Sequence, residues 1–280
     1  MTAMHTNSVS ASAPHIRNCL ILDKVWLTPT IVRFRLDGGQ QPLAWQPGQF
    51  INIKVSEDFI TLLRRPFSVH RVDPMGQWFE ILVQVIGQGT TRLSKCAVGD
   101  SLSILGPLGN HFSIPTPCSE AILLAGGLGI APLLFLAQRI RQLDIPTRLF
   151  YGNKSRSTIC CLDEFDALQI PYVLATDDGS VGFKGTVIDL FARERETITS
   201  SFPAIYACGP MPMLGQLQPL VATLGWSCQV SLETMMACGF GACLGCVVNS
   251  TDPMDPYKYV CKDGPVFQIN EIDFRESTFR

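Results

Sequence analysis

Four cysteines near the C-terminus follow the pattern Cys238-x4-Cys243-x2-Cys246-x14-Cys261, and no other feature restricts the fold as much. The first three match the plant-type spacing for a [2Fe–2S] cluster, whose fourth ligand arrives later in the chain. Such a loop must wrap one side of a cluster and offer several thiolates within bonding distance. Gly239, Gly241, Ala242 and Gly245 keep it thin, so that backbone N–H groups can approach the cluster sulfurs and help set its potential. Two other readings compete. Structural zinc also takes four cysteines, but in two C-x2–4-C pairs, and the second pair is missing here. Four cysteines can also be plain core residues. The spacing favours the iron–sulfur reading, with Cys238, Cys243, Cys246 and Cys261 as metal ligands. Cys19, Cys96, Cys118, Cys160, Cys161 and Cys228 lack ligand spacing and are expected in the core or on the surface.

A loop of this kind needs a scaffold, and the chain has the material for one. Its 280 residues suit two or three small domains, and 46% apolar against 16% charged residues provides ample core. A net charge of −2 excludes nucleic acid and an anionic membrane surface as main partners. The first 18 residues are polar and contain no apolar signal core. They read as a disordered leader, and a reducing, cytoplasmic setting is expected. One uncharged run, AILLAGGLGIAPLLFLAQ at 121–138, approaches membrane-span length. Three glycines and a proline divide it into a strand, a tight turn and a helix start instead.

Residues 19–116 are strand-rich. Apolar alternation at 30–36, 50–55, 79–86 and 101–105, separated by Gly- and Pro-containing turns, predicts a closed antiparallel β-barrel. Residues 117–224 alternate between types. Strands are predicted at 122–125, 148–152, 172–176 and 204–208, and helices at 132–143, 158–168, 186–195 and 211–224. That order implies an α/β domain with a parallel sheet. Residues 225–280 hold the four cysteines and are too short for a large core, so a bound metal group would help hold them together.

Two glycine-rich turns in the α/β half point to a dinucleotide. Gly126-Gly127-Leu128-Gly129 follows an apolar strand and opens a helix, where a pyrophosphate can approach the bare backbone. Cys208-Gly209-Pro210 ends a later strand, at the side of a parallel sheet where ligands bind. Both patterns also occur as ordinary tight turns. In the barrel half, Arg64-Arg65-Pro66-Phe67-Ser68 offers a cation and a hydroxyl suited to a phosphate and a flat ring. The stretch 87–93 (GQGTTRL) offers a second phosphate cradle, and both pieces read equally as solvated loops.

Together these residues resemble the electron-transfer subunits of class 1B dihydroorotate dehydrogenases, within the ferredoxin–NADP reductase superfamily. The resemblance runs through Arg65-Pro-Phe-Ser68, Gly89-Thr90, Gly106-Pro-Leu-Gly-Asn110, Gly126–Pro132, Thr176-Asp-Asp-Gly179, Cys208-Gly-Pro210, Ser231-Leu-Glu233, Cys238–Cys243 and Val260–Phe267. It covers 19–267. The cluster segment and the CKDGPVF tail are specific to the family, whereas RPFS and GGLGIAP belong to the wider superfamily. The resemblance implies an FAD-binding barrel, a nicotinamide-binding α/β domain and a C-terminal [2Fe–2S] module. By motif, Arg65, Pro66, Phe67 and Ser68 would hold the isoalloxazine and its phosphate, and Leu82, Val83, Gln84, Gly89 and Thr90 would line the rest of FAD. Gly127, Gly129, Gly209 and Pro210 would face NAD(H), with Cys208 helping to shape the nicotinamide site. His111 departs from the family, which often has a small residue there, and carries no assigned role.

The implied partner is an FMN-containing catalytic subunit that oxidises dihydroorotate in pyrimidine synthesis, in a heterotetramer of two chains of each kind. Nicotinamides exchange two electrons at once and a [2Fe–2S] cluster carries one, so a flavin must stand between them. No acid–base residue is required. A sulfide dehydrogenase-like, glutamate synthase-linked or hydrogenase-linked partner, or a one-chain oxygenase reductase, would use the same cofactors; a zinc-stabilised binding module would use none of them. Lys154, Ser155 and Arg156 leave NADH against NADPH open.

Overall fold

The computed structural model describes residues 14–39, 44–55 and 62–275. Six strands close an antiparallel barrel: β1 (His15–Trp26), β2 (Ile31–Asp37), β3 (Phe50–Lys54), β4 (Arg65–Val72), β5 (Trp78–Gln84) and β6 (Ser101–Leu108), in the order β1-β2-β5-β4-β3-β6. Alternation explains the closure. Val32, Phe34 and Leu36 of β2, Ile51 and Ile53 of β3, and Ile81 and Val83 of β5 all point inward and fill the barrel. Truncating one of the larger of these side chains, such as Phe34, to alanine would cost about 3–5 kcal/mol. A short helix, α1 (Gln88–Leu93), follows β5.

Next comes a seven-stranded sheet. Its parallel strands are β7 (Glu120–Gly126), β8 (Thr147–Asn153), β9 (Tyr172–Thr176), β10 (Phe183–Lys184), β11 (Pro203–Cys208) and β12 (Ser227–Ser231). The order is β10-β9-β8-β7-β11-β12, and β15 (Val266–Gln268) is added antiparallel at the edge. Helices α2 (Ile130–Arg141), α3 (Leu162–Ala167), α4 (Val187–Glu194) and α5 (Met211–Leu224) make the connections. The strand order reverses between β7 and β11, which opens a crevice at their C-terminal ends. The run at 121–138 is β7, a 3-10 turn and the start of α2, and among the described residues no helix is long and apolar enough to cross a membrane. A hairpin of β13 (Val247–Asn249) and β14 (Tyr257–Tyr259) carries the last cysteines.

Three expectations need correction. First, the leader was expected to reach residue 18, but β1 begins at His15 and pairs with β6 from His15↔Gly106 to Asn18↔Ser103. Its first residues are largely solvent-facing, so no alternation marked them as a strand. Residues 1–13 lie outside the described ones. Second, the cluster module was expected from residue 225, but β12 belongs to the parallel sheet, and Val248, Val260 and Ile272 share a core with Ile122, Leu124 and Leu214. The segment therefore borrows the core of its neighbour. Third, the helix expected at 158–168 starts only at Leu162, because Cys161 takes a left-handed φ of 67° that ends any earlier turn.

The barrel and the sheet meet along β4 and α2. Phe135 of α2 packs with the barrel core, while Ile31 and Leu82 of the barrel pack with the core above the sheet. Polar groups cross the same seam. Arg33 Nη1 lies 2.8 Å from Glu164 Oε1 and Arg71 Nη1 3.6 Å from it, while on the barrel side Glu80 is bonded by Arg35 and Arg71 at 3.0 and 2.8 Å. Burial alone would raise the Glu164 carboxyl; the hydrogen bond and charge of His70, with Arg71 and Arg33, overcome it and hold the group down to about 2. A depressed carboxyl stabilises the fold above its unfolded value and loses that contribution as pH falls through its folded value. The stability gap between wild type and Glu164→Gln should therefore shrink as pH is lowered from about 5 to about 2, as measured by urea unfolding.

Candidate functional site

Two cavities lie at the C-terminal side of the sheet. The first, about 270 Å³, runs along the barrel and is lined by Arg65, Pro66, Phe67 and Ser68 of β4, Leu82 and Gln84 of β5, and Thr90 of α1. Phe50, Leu128, Ala131, Glu233, Met236 and Pro265 close it from the other side. The second, about 610 Å³, sits over the β7–β11 crevice and is lined by Gly126, Gly127, Gly129, Asn153, Lys154, Asp177, Gly209 and Pro210. Gln84, Leu128 and Glu233 border both. Two elongated ligands bound here would meet at these three residues.

The local sequence explains each wall. Gly129 is required by close approach, since a Cβ there would overlap the carbonyl of Cys208. Gly127 has φ +56° and open space beside it, which leaves bare backbone facing the cavity. Gly89 stands behind Arg65: a Cβ at that position would come within 3.1 Å of Arg65 Nε. The Thr90 hydroxyl accepts from the backbone N–H groups of Ile86 and Gly87 at 3.0 and 3.1 Å, which fixes the turn. Arg64, in contrast, bonds Ser103 and the Asn52 carbonyl at the barrel edge and does not border the first cavity.

Three expected site residues border neither cavity: Gly89, which lies behind Arg65, Val83 and Cys208. The Val83 side chain points into the barrel core, because alternation along β5 sends Leu82 and Gln84 outward and Val83 inward. Cys208 is fully buried in the core above the sheet and borders neither cavity. Burial, then the nearby Glu233 carboxylate, pushes its thiol well above the ordinary range, so it stays protonated. Its part is to end β11 where the backbone passes beneath Gly129. Glu233, Leu128 and Phe50 border the site although no sequence motif assigns them to it. Glu233 follows Ser231 at the end of a sheet strand, and that strand-end position was the available signal. Burial raises its carboxyl above the usual range. His111 is exposed, with Nδ1 3.0 Å from the Phe112 carbonyl.

The four expected ligand cysteines converge. Cys246 and Cys261 are buried with their sulfurs 3.2 Å apart, Cys238 is half-buried and Cys243 is exposed. Backbone N–H groups aim at the sulfurs: Gly241 at Cys261 (3.1 Å), Cys243 at Cys238 (3.4 Å) and Cys261 at Cys246 (3.3 Å). Desolvation opposes ionisation of Cys238, but the N–H groups of Phe240, Cys243 and Ala242 lower it to about 6. Cys261 is pushed up to about 12 by burial and by the adjacent Cys246 thiol. An all-sulfur donor set with N–H groups on its sulfurs fits an iron–sulfur cluster. Gly239 permits the loop to dock, since its φ is +76° and any Cβ would overlap the Asn52 amide, whose Nδ2 donates to the Cys238 carbonyl at 3.1 Å. Asn110 joins the motifs at 106–110 and 260–267: it donates to the Asp263 and Val266 carbonyls at 2.9 and 2.8 Å and accepts from Val266 N–H at 2.9 Å.

Cys246→Ser and Cys261→Ser should each abolish the visible iron–sulfur absorption while leaving flavin absorption in place, whereas Cys228→Ser, which lacks ligand spacing, should keep both; absorption spectra of the three purified variants check this.

Comparisons with known proteins agree with this division. Family models match at 25–112 (oxidoreductase FAD-binding domain), 123–218 (oxidoreductase NAD-binding domain) and 233–273 (iron–sulfur cluster binding domain of dihydroorotate dehydrogenase B). The "Dihydroorotate dehydrogenase B (NAD(+)), electron transfer subunit" of Fusobacterium nucleatum is 33% identical over 260 residues, 92% of this chain and 98% of that protein. Its counterpart from Desulforamulus reducens is 38% identical over 222 residues, 79% and 84% of the two chains. A solved NADH-dependent reduced ferredoxin-NADP oxidoreductase, studied for flavin-based electron bifurcation, superposes with a TM-score of 0.80 at 28% identity, over 91% of this chain and 90% of its own. A ferredoxin reductase of carbazole 1,9a-dioxygenase, at 22% identity and TM-score 0.67 over 77% of this chain and 68% of its own, shares the fold. The chain belongs to the family of dihydroorotate dehydrogenase B electron transfer subunits, with FAD, a nicotinamide dinucleotide and an iron–sulfur cluster as its cofactors.

Proposed function

We propose that this chain carries electrons between NAD(H) and the FMN of a dihydroorotate dehydrogenase catalytic subunit, through FAD and a [2Fe–2S] cluster. The observation that carries this reading is the adjoining of three sites. The two cavities share Gln84, Leu128 and Glu233, and the cluster loop hangs from Asn52, which is paired in register with Pro66 of the first cavity. When bound, the flavin accepts a hydride and releases single electrons, and the cluster accepts them one at a time. Arg65, Pro66, Phe67 and Ser68 would seat the flavin, with Leu82, Gln84 and Thr90 along its length. Gly127, Gly129, Gly209 and Pro210 would present backbone to the dinucleotide. Cys238, Cys243, Cys246 and Cys261 would hold the cluster. None of these residues needs to move a proton.

The partner reading has its own support. Cys243 is the exposed ligand, and Phe240 and Leu244 beside it are more than half exposed, as is Met235. An apolar rim around the most accessible ligand suits a docking partner whose own redox group lies close behind its surface. An assembly of two chains of each kind, in a reducing compartment such as the cytoplasm, belongs to the same proposal. All eleven cysteines are unpaired, which supports the compartment. The likeness to the NADH-dependent ferredoxin-NADP oxidoreductase favours a second reading in which the same relay serves a different redox partner.

The deciding experiment is anaerobic co-purification with an FMN-containing dihydroorotate dehydrogenase subunit, followed by an assay of dihydroorotate-dependent NAD⁺ reduction. Activity with bound flavin and cluster is expected. Flavin and iron without that activity would move the chain to the second reading. Phe240→Asp should weaken the complex by about tenfold or more, through a charge set in an apolar contact, while the cluster spectrum is unchanged; sedimentation or calorimetric titration reads this out.

A further inference from the structure

A buried polar cluster stands apart from both cavities, between the strand that carries the flavin motif and the helix that opens at the dinucleotide turn. His70 lies two residues beyond Ser68 on β4 and is fully buried. Its Nδ1 is 2.8 Å from the carbonyl oxygen of Ala131 in the first turn of α2, and its Nε2 is 3.1 Å from Glu164 Oε2 on α3. Both partners accept hydrogen bonds and neither donates, so the ring satisfies both only by donating from each nitrogen. Glu164 is held in turn by Arg33 at 2.8 Å and lies 3.6 Å from Arg71.

The connections on either side reach the reacting region. Ala131 borders the first cavity, and Leu128, one turn earlier, borders both. On the strand side, Ser68, Phe67, Pro66 and Arg65 form the opposite wall. His70 therefore ties one wall of the flavin cavity to the element that presents the nicotinamide turn. Apolar packing between β4 and α2 allows sliding; a directed hydrogen bond from the ring to α2, with the ring itself held by a second bond to α3, opposes it. Hydride transfer is sensitive to such sliding, since a misplacement of about 1 Å can cost about 100-fold in rate.

The Cys161 sulfur also lies near His70 and Glu164, with the three donor atoms within 4.8 Å of one another, a grouping that resembles a small cation site. The charges argue against that use. The two carboxylates, Glu80 and Glu164, are already matched by Arg33, Arg35 and Arg71, and a divalent ion would face those guanidiniums.

We propose that His70, seated by Glu164, is a positioning residue for hydride transfer, fixing the flavin-bearing strand against the helix that presents the nicotinamide. The proposal rests on the reading that the two cavities hold FAD and NAD(H). Its test uses the full chain with FAD and cluster bound, in anaerobic stopped-flow reduction by NADH. The variants are His70→Leu, His70→Gln and Glu164→Gln, with FAD content and the cluster's paramagnetic resonance spectrum measured beside them.

In His70→Leu the limiting rate of flavin reduction should fall about tenfold or more. The NADH concentration at half-saturation, the FAD content and the cluster spectrum should stay near wild type. Gln at position 70 should restore part of the rate, because its amide can still donate to one acceptor. Glu164→Gln should show a smaller loss of the same kind. An unchanged limiting rate in FAD-loaded His70→Leu would overturn the proposal, as would a loss explained wholly by weaker NADH or FAD binding. If His70→Leu does not fold, Glu164→Gln decides: an unchanged limiting rate there overturns it. Wild-type protein that holds FAD but is not reduced by NADH or NADPH would sink the cofactor reading itself, and the proposal with it.

Discussion

The joint between barrel and sheet is the contact on which the rest of the molecule depends. The first cavity needs both bodies, with β4 and β5 of the barrel on one side and Leu128, Ala131 and Glu233 on the other. The barrel is filled by its own inward side chains, and the parallel sheet is covered by its helices. Where β4 meets α2, each lends residues to the other's core: Phe135 to the barrel, Ile31 and Leu82 to the sheet. The apolar part supplies most of the adhesion, because it removes large side chains from water. Arg33, Arg35, Arg71, Glu80 and Glu164 add direction, and their charges compensate one another where uncompensated burial would be costly. With that joint fixed, strand order places the crevice between β7 and β11 directly beside the outer face of β4 and β5.

The second constraint is thinness of backbone. At Gly129 and Gly239 the chain passes so close to the Cys208 carbonyl and the Asn52 amide that no Cβ fits. One approach brings the dinucleotide turn onto the end of β11, and the other brings the cluster loop onto β3. Both are distances between parts of the fold far apart in sequence. They explain glycines that composition alone would treat as flexible loop residues.

The cluster loop shows how protein and metal chemistry divide the work. The sheet supplies β12 and β15, Asn110 pins the segment that carries Cys261, and Val248, Val260 and Ile272 sink into a shared core. The scaffold is therefore organised by ordinary packing. The thiols complete it: Cys246 and Cys261 are buried with their sulfurs 3.2 Å apart, a crowding that ligation of iron as thiolates would relieve.

Local events are legible in the amino-acid order. Alternating Val32, Phe34 and Leu36 specify a strand with one buried face. The Gly126–Gly129 turn between an apolar strand and a helix specifies a site for backbone approach, and the spacing from Cys238 to Cys246 specifies a wrapping loop. Each depends on neighbours within a few residues, where periodicity and backbone sterics act. Strand β1 escaped because its first residues face solvent and carry no period, and β12 escaped because its sheet partners lie far away in the chain. Tertiary structure alone decided that Val83 faces the barrel core while Leu82 and Gln84 face the cleft, that Cys208 is buried, and that Glu233 and Leu128 stand where the two cavities meet. It alone brought His70 of β4 to Ala131 and Glu164. These are questions of which surfaces come together, settled by long-range packing and the matching of buried charge, and no local pattern records them.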